Sequence, residues 1–97
     1  MSNNGILAII INIDSKNKTL LNTPLVTTRG YILVNESIEL IKEIEIFCKK
    51  IITNKLKQKT VNFSDIKNEL INELMPLLLE KTGRVPIILP IIMDVKR

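Results

Sequence analysis

Apolar residues along this chain are grouped by two different periods, and the switch between them marks the elements. Residues 5–13 (GILAIIINI) form a short run rich in Ile, closed by the polar cluster Asp14-Ser15-Lys16-Asn17-Lys18. A run of that length, ended by turn formers, predicts a strand entering a hairpin. The return segment runs from Thr19 through Thr23-Pro24 and Leu25 to Val34, with residues 31–34 as its firmest part. Arg29-Gly30 is placed as a bulge or bend, because Gly tolerates backbone angles that a strand interior avoids.

A helical period follows. Asn35 or Ser37 is placed to cap a first helix, with Glu36 and Glu39 near its positive pole. Leu40, Ile41, Ile44, Phe47, Cys48, Ile51 and Ile52 fall on one stripe of the wheel, and Lys42, Glu43, Lys49 and Lys50 fall away from it. Ile46 lies on the polar side, as an ordinary surface residue or a contact point. The polar stretch Thr53 to Thr60 is expected to end this helix. A second helix then starts with Asn62 as N-cap, Asp65 at the third helical position and Val61 spaced to staple onto Ile66. Phe63, Ile66, Leu70, Leu74, Leu77 and Leu78 continue its apolar stripe, and Gly83 supplies a left-handed stop. Pro76 predicts a kink, since it removes a hydrogen bond and crowds the carbonyl of Asn72.

Residues 86–95 (PIILPIIMDV) are apolar at almost every position, which predicts a strand buried on both sides. Pro90 has no N–H, so one side of that strand must be an edge, a bulge or a turn. The expected fold is α+β: a three-stranded mixed β-sheet with two α-helices packed on one face, in the order ββααβ, forming a single domain over residues 1–97. Two helices cover only one face of such a sheet, yet the first and last strands are apolar at odd and even positions alike. One face therefore needs a further partner. We place the candidate interface on Leu7, Ile9 and Ile11 of the first strand and on Ile87, Leu89, Ile91 and Met93 of the last.

Chemistry is sparse. The chain has no His and a single Cys, so the usual zinc sites and nucleophile-base pairs cannot be assembled from it. Its three glycines, at 5, 30 and 83, form no phosphate loop. Glu39, Glu43 and Glu45 read as a solvated helix side, as do Glu69, Glu73 and Glu80, and Cys48 reads as a buried small hydrophobe. No catalytic, cofactor-binding or metal-binding residue is assigned, and the chain is expected not to be an enzyme by itself. A net charge of +4 favours anionic partners. Arg29, Lys55, Lys57, Lys59 and Arg84 are candidate contacts to an RNA phosphate backbone, with Lys96 and Arg97 beyond them. Aromatic residues are too few and too often on core stripes to stack single-stranded bases. The lone Cys and the lack of a signal pattern or a long apolar span point to the cytoplasm and away from a membrane.

Three stretches carry a resemblance: Thr28-Arg29-Gly30-Tyr31-Ile32-Leu33-Val34-Asn35-Glu36-Ser37, then Glu80-Lys81-Thr82, then Arg84-Val85-Pro86-Ile87-Ile88-Leu89-Pro90-Ile91-Ile92-Met93. From Gly5 to Val95 the chain resembles the C-terminal domain of bacterial ribonuclease J. The resemblance implies a parent built from a metallo-β-lactamase domain, an inserted β-CASP domain, a linker and this terminal domain. Such a parent cleaves RNA endonucleolytically and degrades it from the 5′ end, using zinc held by histidines and aspartates of the first domain. For the terminal domain it implies a three-stranded sheet with two helices, a part in dimer or tetramer assembly, and support of full activity. The implied partners are a second copy of the chain, the catalytic domains of the parent and, through them, RNA. Pro76 departs from the family's helix pattern, and Met1 stands almost directly on the first strand, as expected of an expressed fragment with a few added or altered residues or of a naturally separate small protein.

Overall fold

The computed structural model describes residues 5–30 and 37–95. Its elements are β1 (Ile6–Asp14), β2 (Thr19–Leu20), β3 (Leu25–Arg29), α1 (Ser37–Leu56), α2 (Phe63–Thr82) and β4 (Ile87–Asp94). The expected strand over residues 31–34 and the caps placed at Asn35 and at the Ser37 side chain lie outside the described residues.

The α+β class and the two helices stand as expected, but the sheet has four strands because the return arm of the hairpin is split. Ile13 pairs with Leu20 and Ile10 with Leu25, so four residues, Leu21 to Pro24, stand opposite only Ile11 and Asn12. Pro24 is fully buried in this bulge and has no N–H to give the ladder. β2 and β3 therefore follow one another along the same edge of β1, and the sheet remains three strands wide. The main irregularity falls at residues 21–24, not at Arg29-Gly30. Gly30 instead ends β3 in a bend at φ +67°.

β1 is the central strand. β3 and β2 pair with it antiparallel and β4 parallel, which makes the sheet mixed. A parallel neighbour requires a long crossover, and the α1-α2 pair supplies it. Both helices lie on one face, where one cluster of buried residues joins Leu7, Ile9, Ile11 and Ile13 of β1, Val26 of β3, Ile88 of β4, Ile44, Cys48, Ile52 and Leu56 of α1, and Ile66, Leu70, Leu74 and Leu78 of α2.

The helix ends follow from local chemistry. Asn62 accepts the Asp65 N–H at 3.1 Å, satisfying a donor that has no partner within α2, and Val61 packs on the core beside it. Gly83, at φ +76°, donates its N–H to the Leu79 carbonyl at 2.8 Å and closes the other end. α2 runs unbroken through Pro76. Pro76 and Asn72 are both exposed, so water can hydrate the Asn72 carbonyl that proline leaves without its helical donor. α1 is longer than the polar composition of residues 53–60 suggests, continuing to Leu56 because that side chain completes the core stripe.

The far end of the sheet is tied by side chains. Asp14 accepts the N–H groups of Lys16 (3.1 Å) and Asn17 (3.2 Å) and the Asn17 Nδ2 (2.7 Å). Ser15 donates through its N–H (3.0 Å) and Oγ (2.6 Å) to Asp94 at the end of β4. The turn closes on Lys18, whose φ of +54° is an uncommon conformation for a residue with a Cβ. Lys18 Nζ donates to the carbonyls of Gln58 (2.9 Å) and Lys59 (2.7 Å), joining the hairpin to the end of α1.

Candidate functional site

Register decides which residues share a face. In a parallel pair, facing residues point their side chains the same way, and Leu7 faces Ile88 while Ile6 faces Ile87. The odd residues of β1 thus stand beside the even residues of β4. The expectation that Leu7, Ile9 and Ile11 form one surface with Ile87, Leu89, Ile91 and Met93 is corrected on this point. Leu7, Ile9 and Ile11 are completely buried beneath the helices, whereas the four β4 residues point to the opposite side and are 44–63% exposed. The same register corrects the expectation that β4 is buried on both sides. Only Ile88 is buried, with Ile92 packed partly against the core.

The open face is built from Ile6, Ala8 and Ile10 of β1, Leu25 and Thr27 of β3, and the odd residues of β4. Three strands about 4.8 Å apart and some nine residues long at about 3.3 Å each give a surface of roughly 14 by 30 Å, or about 400 Å². That is within the range of the largest apolar patch on a typical monomer, which is often functional.

Both edges of the sheet are blunted. Ile87 and Val95 donate their N–H groups to the carbonyls of Gly5 and Ile13, so the odd residues of β4 turn their backbone toward β1 and the even ones turn outward. Pro90 is one of the outward residues and leaves a gap in that free edge. On the opposite edge, the outward N–H of Val26 donates to Glu45 Oε2 at 3.1 Å. Glu45 is thus not merely a solvated helix residue, since it closes the β3 edge onto α1. Its charge and, above all, burial push the Cys48 thiol up to about 12, consistent with Cys48 as a core side chain.

The candidate phosphate contacts do not converge. Arg29 faces Ile6 and Arg84 precedes β4, which puts both near the start of β1. Lys57 and Lys59 follow α1 beside Lys18, just past the end of β1, roughly 25 Å away at about 3.3 Å per residue. Lys55 faces α2 with its Nζ 3.9 Å from Asp65, and Lys81 pairs with Glu43 at 3.2 Å. Lys96 and Arg97 lie outside the described residues. Two lysines that charge reasoning passed over, Lys18 and Lys49, line a groove with Lys57. Only the fold reveals this, because they come from different elements.

Among the described residues no three His, Cys, Asp or Glu side chains are grouped to hold a metal ion. The zinc implied by the resemblance has no fitting donor set among the described residues. No helix among the described residues is long and apolar enough to cross a membrane.

A two-layer α+β domain, with one sheet face covered by helices and the other left open among the described residues, is the class defined by this geometry. Residues 1–95 match the family described as the Ribonuclease J C-terminal domain, and the chain belongs to that family. It is 37% identical over 95 residues to Ribonuclease J2 of Bacillus subtilis, 34% to Ribonuclease J 2 of Staphylococcus epidermidis and 30% to Ribonuclease J 2 of Staphylococcus aureus. Each comparison covers 98% of this chain and 17% of the relative, so the chain spans about one sixth of the length of the proteins it matches.

Proposed function

We propose that this chain is a non-catalytic assembly domain of a ribonuclease J, and that its open sheet face docks against a second copy of itself. The observation that carries this reading is the row Ile87, Leu89, Ile91 and Met93, with Ile6, Ile10 and Leu25 beside it, over which the described residues place no covering layer. Pro90 and the Glu45 bond to Val26 disfavour strand addition at the edges and leave the face as the means of association. Within the parent, the domain would hold catalytic subunits together and sustain endonucleolytic and 5′-to-3′ degradation of RNA in the cytoplasm. Any zinc would be held by the catalytic portion.

Light scattering of the purified chain over a range of concentrations tests this directly. A mass rising from monomer to dimer by mass action supports it. A strict monomer, combined with unchanged assembly of a full-length ribonuclease J lacking the domain, overturns it.

A further inference from the structure

Apart from the open face, two clefts of similar size among the described residues differ in charge. The cleft between α1 and α2 encloses about 410 Å³ and sets Lys50 and Lys55 against Glu69 and Glu73. The other, between the split arm of the hairpin and the C-terminal half of α1, encloses about 470 Å³ and is lined by Lys18, Lys49 and Lys57. No carboxylate is among the described residues lining it. All three lysines are exposed. Thr19, Asn22 and Thr53 add neutral hydrogen-bonding groups to the same walls. One cleft is therefore balanced, while the other concentrates three positive charges.

We propose that the groove of Lys18, Lys49 and Lys57 binds the phosphodiester backbone of single-stranded RNA without reading its sequence. The bulge at residues 21–24 forms one wall, so the groove exists because β2 and β3 are offset. Lys18 is held across it by the Gln58 and Lys59 carbonyls, which take two of its three ammonium donors and leave one for an anion. Ammonium groups spread along a trough suit successive phosphates as point charges. Among the described residues no aromatic side chain lines the groove to stack a base, so contact is to the backbone alone. RNA is the phosphodiester at hand because this inference rests on the reading of the domain as part of a ribonuclease.

The test is fluorescence anisotropy of a labelled oligouridylate titrated with the chain. Three phosphate contacts on a single strand give a salt slope of about −2, so affinity is expected to fall roughly twentyfold between about 50 and 200 mM salt. Lys49→Glu with Lys57→Glu is expected to weaken binding more than about tenfold, while the equal charge change Lys50→Glu with Lys67→Glu weakens it less than about threefold. Equal losses in both pairs, no binding at low salt, or binding of tripolyphosphate without binding of the oligonucleotide would overturn the proposal. Circular dichroism confirms folding of each variant, and light scattering keeps the two readings apart. A monomer that binds RNA leaves this proposal standing whatever becomes of the assembly reading, and an assembly that does not bind sinks this one alone.

Discussion

Isoleucine lines both faces of β1, and the two sets meet opposite surroundings. Ile9, Ile11 and Ile13 are wholly enclosed by α1 and α2, while Ile6 and Ile10, one residue out of phase, look onto the open face. β4 repeats the contrast, with Ile88 buried and Ile87 largely exposed. Side-chain type does not separate these positions; parity and the register with β1 do. A sheet with one helical layer needs apolar residues of only one parity. The second parity is the signature of a surface meant for something else.

The sharpest way to break the contrast is to empty the covered face. Ile9→Ala is expected to lower stability by about 2–5 kcal/mol, because it leaves a cavity among close-packed neighbours. Urea denaturation at a concentration where the chain is monomeric measures it. Cys48 supplies a second readout, since its thiol, buried on the same face and pushed up to about 12, is expected to react at pH 8 only when the helix layer opens. A loss of 3 kcal/mol in global opening would speed labelling about a hundredfold. A loss below about 1 kcal/mol would mean that the helix layer is not the core.

The asymmetry between faces also marks how far the sequence could be read. The α+β class, the two helices, Asn62 as N-cap and Gly83 as stop were legible because each depends on residues a few positions apart. The existence of a second apolar face was legible from the doubled parity of β1 and β4. Which parity lay outside was not, since Leu7 could join Leu89 or Ile88 with equal local logic and only the pairing of β1 with β4 distinguishes them. The split of the hairpin arm was hidden likewise, because a Thr-Pro pair is compatible with an edge strand and reveals its bulge only against the count of residues on β1. The lysine groove depends on both the split and the end of α1, so no spacing in the chain announced it.

Smaller effects probe what keeps the helix layer in place. Asn62→Ala removes the acceptor of the Asp65 N–H and is expected to lower stability by about 1 kcal/mol. Gly83→Ala is expected to lose about 1 kcal/mol through its left-handed backbone alone, since a Cβ there meets nothing within 4 Å. Thermal melts of the two variants check both values. A larger effect at Gly83 would point to packing that the structure does not contain.

Asp14 ties down the turn at the far end of the sheet, and its effect depends on pH. The Asn17 side-chain N–H, followed by the backbone N–H groups of Asn17 and Lys16, holds its carboxyl below the ordinary 3.8, against the opposing influence of burial and Asp94. A depressed carboxyl contributes stability that is present above its unfolded value and lost as pH falls through the lower folded one. Asp14→Asn is therefore expected to destabilise the chain at pH 7, with the gap to the unchanged chain closing as pH drops below 3.8. Melting temperatures compared at pH 7 and pH 3 read this directly, and a gap that widens on acidification would reverse the assignment.

The smallest expected change in stability has the largest bearing on function. Ile91→Lys places a charge in the middle of the open face, where the lysine stem still covers part of the sheet and the ammonium reaches water. The monomer should change by no more than about 0.5 kcal/mol, as substitutions away from a core usually do. Association should nevertheless fail, because in a face-to-face dimer the same charge is buried unpaired from both sides. Light scattering beside urea denaturation separates the two quantities. A variant that assembles as before would show that the open face is not the contact surface, and a variant that unfolds would show that Ile91 belongs to a core that the single helix layer does not provide.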